Sequence, residues 1–153
     1  MSITSNYEPY SPNSQGLVEV LIDLKDSLQS VAPDNTVGFE AITLENISQG
    51  EALYARASDG KLGRANANST LDLATVVGFA ETAESAGSLV RALVKGALPT
   101  SGLNAGDIYY LAVGSGGITT SAPSTTNQYV TRVGEAVNSA QLIINIESPV
   151  LLS

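Results

Sequence analysis

The sequence predicts a mainly β protein, a β-sandwich or barrel built from two pseudo-repeats of about 56 residues, preceded by an extended arm and a short helix. The first observation behind this is an internal correspondence. Gly50, Glu51, Tyr54 and Gly60 recur, without any gap, as Gly106, Asp107, Tyr110 and Gly116. Thr75, Val77, Gly78 and Ala80 recur at the same separation as Thr131, Val133, Gly134 and Ala136, while Ile47 matches Leu103 and Leu62 matches Ile118. Each copy, residues 47–85 and 103–141, reads as an apolar residue, a turn ending in Gly, an acid, a strand with Tyr, a Gly turn, an apolar residue, a polar excursion and Val-Gly-x-Ala. The second observation is composition. Hydrophobic residues make up 43% of 153, yet aromatics are only 5% and charged residues 14%, so small apolar and hydroxyl side chains dominate. The third is turn spacing: short apolar runs are broken by turn residues roughly every 8–12 positions, the pattern of sandwiches and barrels.

The elements follow in order. Residues 1–15 are rich in Ser, Asn, Pro and Tyr and lack periodicity, which predicts an extended arm. Tyr7 and Tyr10 flank Pro9, and the arm reads either as a loose tail or as a tether anchored on a partner by Tyr7, Pro9 and Tyr10. Residues 16–32 read as a helix. Leu17, Leu21, Leu24, Leu28 and Val31 follow the 4-3-4-3 spacing of a coiled-coil seam, and Pro33 stops it. So short a helix does not hold alone in water, so it docks on its own β domain or bundles with copies of itself. Val18, Val20 and Ile22 also permit a strand there.

The β domain spans 37–153. Residues 39–46 alternate as a strand, 51–57 form the first Tyr strand, Asp59-Gly60 is a hairpin turn, and 62–65 returns. A polar loop, 66–72, precedes a buried strand at 73–80. A strand at 88–96 and a loop with Pro99 at 98–106 lead into the second copy. There 108–113 is the Tyr strand, 114–117 its turn, 119–128 a Ser/Thr/Pro loop and 129–136 the Val-Gly-x-Ala strand. A last strand at 141–147 places Leu142, Ile144 and Ile146 on one face, and 148–153 is a short apolar end.

Charge and residue types narrow the function. The net charge is −8 and the seven basic residues are scattered, so no stripe exists to neutralise phosphates, and nucleic acid is not an expected partner. No apolar run approaches a membrane span, and residues 1–15 lack the basic-then-apolar pattern of a signal peptide. The chain has neither Cys nor His, which removes thiol chemistry, the commonest general base and the usual zinc sites. Asp23 and Asp26 share a solvent face of the predicted helix. Asp59 belongs to its turn, as do Glu51 and Asp107. Asp72 with Asn66 and Asn68 offers oxygen ligands but lacks the Asp-x-Asp-x-Asp-Gly spacing of a calcium loop. Residues 114–117 are glycine-rich but precede no helix, so a phosphate loop lacks its second half. Tyr54, Tyr109 and Tyr110 are expected in sheet pairing or core. The expectation is a non-enzyme, with no catalytic residue, cofactor or metal assigned.

The phrases Gly50-Glu51-Ala52-Leu53-Tyr54, Asp59-Gly60-Lys61-Leu62, Val77-Gly78-Phe79-Ala80, Leu103-Asn104-Ala105-Gly106, Tyr109-Tyr110-Leu111, Gly117-Ile118-Thr119 and Val133-Gly134-Glu135-Ala136 resemble a module of tailed bacteriophages. It is found in small capsid decoration (cement) proteins and in related head-fibre or tail-fibre β modules. The resemblance covers residues 43–146. It implies a compact, mostly β, often trimeric structural protein on the capsid surface of a virion, with the major capsid protein and copies of itself as partners and no catalytic residues to carry over. The arm and helix lie outside it. On this expectation the leucine seam is the oligomer interface and Tyr7, Pro9 and Tyr10 grip the capsid. The alternative is a fibre or baseplate module that presents loops 66–72 and 119–128 to a host surface.

Overall fold

The computed structural model describes residues 36–153. The predicted arm with Tyr7, Pro9 and Tyr10, and the predicted helix with Leu17, Leu21, Leu24, Leu28 and Val31, lie outside the described residues. Among the described residues there are eleven strands and one helical turn: β1 Val37–Ile42, β2 Ala52–Ala55, β3 Leu62–Arg64, α1 Leu71–Ala74, β4 Gly78–Ala80, β5 Leu89–Pro99, β6 Ile108–Leu111, β7 Ile118–Thr119, β8 Tyr129–Val130, β9 Arg132–Asn138, β10 Gln141–Ile144 and β11 Val150–Leu151.

Nine strands form one curled antiparallel sheet, a half-barrel, in the order β3-β2-β4-β5-β10-β9-β6-β7, with β1 also on β5. The long strand β5 joins its two parts. Its first residues pair with β1, from Ile42↔Leu89 to Val37↔Lys95, and with β4 through Phe79↔Leu93 and Ala80↔Ala92. Its last residues pair with β10, from Ile144↔Gly96 to Gln141↔Pro99. The handover falls at Gly96, whose φ of 106° is a backbone conformation that only Gly adopts readily. The far ends of the curl are tied together. Ala52 N donates to Gly116 O at 2.9 Å, Gly116 N to Ala65 O at 2.7 Å, and Ala67 N to Ala112 O at 3.2 Å. Strands β8 and β11 form a separate two-stranded ribbon.

The two flanks of the sheet share their registers. In β2–β3, Tyr54 pairs with Gly63 and Ala55 with Leu62; in β6–β7, Tyr110 pairs with Thr119 and Leu111 with Ile118. In β2–β4, Ala52 pairs with Phe79 and Leu53 with Gly78; in β6–β9, Ile108 pairs with Glu135 and Tyr109 with Gly134. The turn glycines match as well: φ is 85° at Gly50 and 87° at Gly106, 73° at Gly60 and 75° at Gly116. Gly50 N donates to Ala80 O at 2.8 Å, and Gly106 N to Ala136 O at 2.7 Å. The next strand inward continues the likeness, with Ala80↔Ala92 matched by Ala136↔Leu142.

The main core lies inside the curl. Phe79, Leu93 and Leu98 meet Tyr109, Leu111, Val133, Leu142 and Ile144 there. A smaller cluster of Ile47, Leu53, Leu62, Ala80, Val90 and Ala92 occupies the other face of β2–β4–β5, with Ala41 of β1 packed against it. Burying each such Leu or Phe contributes about 1.5–3 kcal/mol. Among the described residues, the flank carrying β2, β3 and β4 is therefore covered on both faces, whereas the flank carrying β6, β9 and β10 is covered on one.

Four segments depart from the sequence expectation. Residues 73–80 are not one strand. Thr70 accepts from Leu73 N and Thr75 Oγ1 donates to Leu71 O at 2.6 Å, so Leu71–Ala74 closes a helical turn and only Gly78–Ala80 joins the sheet. Strand β5 runs through Pro99 instead of stopping at Gly96. Pro99 is its last residue, where a missing N–H costs least. Residues 129–136 divide at the buried Thr131, whose Oγ1 donates to Ala74 O at 2.9 Å, and β8 leaves the main sheet to pair with β11. The apolar end at 148–153 thus contributes a strand of its own.

Candidate functional site

Two features of the described surface stand apart from the rest of it. The first is the uncovered face of β6, β9 and β10. The pairs Ile108↔Glu135, Glu135↔Ile143 and Ile143↔Ala97 run across the sheet as one row. Along it Ile108 is 36% exposed, Ile143 41% and the adjacent Val137 51%. A shallow hollow of about 250 Å³ is lined by Arg132, Glu135, Val137, Ile143 and Asn145. Arg132 lies 3.9 Å from a Glu135 oxygen and 3.8 Å from one of Glu147, too far for hydrogen bonds. Its Nε is buried and has no hydrogen-bond partner among the described residues. Apolar side chains around incompletely paired charges suit a protein surface better than a small ligand.

The second feature is the end of the half-barrel that carries loops 66–72 and 119–128. The fold brings these loops together: Tyr129 N donates to Ala67 O at 2.9 Å, and Gln128 Nε2 to Asn68 Oδ1 at 3.5 Å. Asn66 Oδ1 accepts from Asn68 N at 2.8 Å and from Gly114 N at 3.3 Å, so its oxygen is engaged in the loop's own geometry. Asn127 N donates to Leu152 O and Leu152 N to Gln128 O, each at 2.8 Å, tying the β11 segment to the same end. Asp72 lies exposed in α1. Among the described residues no group of three or more Asp, Glu, His or Cys could hold a metal ion. No helix among them is long and apolar enough to cross a membrane.

Among the described residues, others singled out in the sequence have local employment. Glu51 accepts from Ser48 N at 2.8 Å, closing the turn before β2. Gly116 uses both its N–H and its carbonyl in the closure of the curl. Tyr109 is buried and its hydroxyl accepts from Asn104 N at 3.0 Å, while Tyr54 and Tyr110 are half-buried. Glu45 accepts from Arg64 Nη2 and from Arg64 N, both at 2.9 Å. Burial pushes the Glu45 carboxyl up, but the Arg64 hydrogen bonds and charge outweigh it and hold the pKa below the usual value.

Asp59 gives a testable titration. Arg56 Nε donates to Asp59 Oδ1 at 3.0 Å and Lys61 N to the same oxygen at 3.2 Å. The Arg56 side-chain hydrogen bond is the main cause holding the carboxyl at about 2, down from 3.8. A folded pKa below the unfolded one stabilises the hairpin at pH above about 3.8, and that contribution is lost as pH falls toward about 2. Carboxyl NMR is expected to place the midpoint near 2, and the melting difference between wild type and Asp59→Asn is expected to vanish below it. A midpoint at the ordinary Asp value contradicts the pairing.

The sequence did not single out the uncovered face. The signal was present, since placing Leu142, Ile144 and Ile146 inward leaves Ile143 pointing outward. Compared with known proteins, the chain matches no family model and no curated relative.

Proposed function

We propose that this chain is a structural virion protein, a capsid decoration or cement protein that binds the major capsid lattice and stabilises it as a homotrimer on the capsid surface. The observation that carries the reading is the skeleton of turns and strands. The phrases that resemble the phage module lie on β2–β3–β4 and β6–β7–β9, whose registers and turn angles coincide. That coincidence supports a duplicated β unit, with residues 47–85 and 103–141 as its two copies. On this reading the seam Leu17, Leu21, Leu24, Leu28 and Val31 serves self-association, and the arm with Tyr7, Pro9 and Tyr10 grips the lattice. Three arms on one trimer raise avidity without any new kind of contact. Antibody labelling of virions is expected to decorate heads; label confined to tails or cells would sink the reading. Deleting residues 1–14 is expected to leave the melting temperature nearly unchanged and to weaken capsid attachment. Equal attachment by the truncated chain refutes the tether.

A second reading, a fibre or baseplate module for host-surface attachment, draws on the convergence of loops 66–72 and 119–128 at one end. Binding of the isolated protein to host cells or glycans favours it, and failure to bind any host surface counts against it.

A further inference from the structure

We infer that the uncovered face of β9 and β10, centred on Ile143 and Val137, is a self-association surface that meets the same face of a neighbouring copy of this chain. The inference rests on the homo-oligomer proposed above, but not on the capsid. The first argument comes from the chain's own packing. The row Ile108–Glu135–Ile143 occupies the register positions that Ala52, Phe79 and Leu93 occupy on the other flank. There the row is covered by the facing sheet and is almost wholly buried, at 0%, 0% and 2% exposure. The register-equivalent row of the other flank, which faces into the curl, thus already accepts a β-sheet within the molecule, whereas Ile108–Glu135–Ile143 faces out of it. On β6, β9 and β10 no part of the described residues covers it, and two of its three row positions, Ile108 and Ile143, are still apolar.

The second argument is electrostatic. One cation, Arg132, stands between two acids, Glu135 and Glu147, at distances that leave all three incompletely paired. Arg132 also holds a buried Nε with no partner among the described residues. A patch with both signs of charge around an apolar centre is complementary to its own copy. Rotation about a symmetry axis beside Ile143 carries Glu135 or Glu147 of the neighbouring copy toward Arg132 and apposes the isoleucine and valine side chains. In a trimer the three faces turn toward one axis, so that Ile143 meets its own copies there and the acids of each copy lie heterologously against Arg132 of the next; a dimer would instead pair the face with itself isologously. Glu135 replaces Phe79 at the centre of the row, which keeps the separated chain soluble and makes the contact depend on the charge match.

The test is native mass by sedimentation for the full chain and its variants. The wild type is expected near 47 kDa for a trimer of 15.7 kDa chains. Ile143→Asp and Val137→Asp are each expected to lower the mass about threefold with an unchanged circular dichroism spectrum. Leu71→Asp, at a comparably exposed residue on α1, is expected to leave the mass unaltered. Ile143→Ser, shorter and polar but uncharged, serves if an acidic variant fails to fold. A monomeric wild type overturns the inference, as does an oligomer whose mass none of the Ile143 and Val137 variants changes. Loss of capsid pelleting by Ile143→Asp at unchanged mass also overturns it, by giving the face to the capsid. Failure of the decoration reading looks different: a wild-type oligomer that Ile143→Asp dissociates but that never pellets with capsids.

Discussion

Gly134→Ala is expected to cost about 3 kcal/mol or more, or to prevent folding, because the added carbon has nowhere to go. Gly134 lies in β9 between β6 and β10, and a Cβ there is driven into the carbonyl oxygen of Ile143. The same carbon stands 3.2 Å from Ile143 C and 3.1 Å from Leu142 Cγ. A backbone carbonyl within a paired strand cannot turn aside as a flexible side chain does, so relief requires β9 and β10 to separate. The corresponding Gly78 is less crowded, with its Cβ at 3.0 Å from both Ala92 Cβ and Leu93 O. Gly78→Ala is accordingly expected to cost roughly 1–2 kcal/mol. Gly102 sits in open space but at a φ of 76°, so Gly102→Ala carries only the left-handed backbone penalty of about 1 kcal/mol. Urea unfolding of the three variants is expected to rank them in that order. A Gly134→Ala protein as stable as Gly102→Ala would contradict the close approach of β9 and β10.

Phe79→Ala is expected to cost about 3–5 kcal/mol, a large share of the 5–15 kcal/mol by which an ordinary domain is stable. Phe79 is fully buried and is the largest such side chain in the described core. It stands where the inner face of one flank meets Leu98, Leu142 and their neighbours from the other. The chain has two Phe and no Trp, and the core around Phe79 is mostly Leu, Val and Ala, so no neighbour is large enough to fill the space. The melting temperature is expected to fall by roughly 10–20 °C. Phe39→Ala is the control: Phe39 is 40% exposed on β1 and its loss leaves no cavity. A Phe79→Ala protein within 1 kcal/mol of wild type, on the scale of an ordinary surface substitution, would mean that the two flanks do not share one core.

What the sequence made legible was local. The hairpin at Asp59-Gly60 and the turn at residues 114–117 were readable because positive φ at Gly60 and Gly116 demands glycine. The strands through Tyr54 and Tyr110 were readable from short apolar runs between such turns. What escaped depended on distant partners. The run Leu-Ala-Thr-Val-Val looks like one buried strand until Thr70 and Thr75 close a helical turn over its first residues. The continuation of β5 past Gly96 is decided by β10, some forty residues later. Strands β8 and β11 are two residues each and exist only through one another. The uncovered face was half-visible, since alternation marks Ile143 as outward, but no local pattern tells which faces of a curled sheet another sheet covers. The proposed interface residues Leu17, Leu21, Leu24, Leu28 and Val31 and the proposed arm residues Tyr7, Pro9 and Tyr10 lie outside the described residues, and they were picked out by leucine spacing and by composition.

Co-sedimentation of the purified protein with phage capsids that lack it tests the central proposal most directly. A decoration protein pellets saturably, at a fixed ratio to the major capsid protein, and raises the temperature at which the capsids come apart. Protein that stays in the supernatant at every concentration at which its oligomer is fully assembled would contradict the proposal.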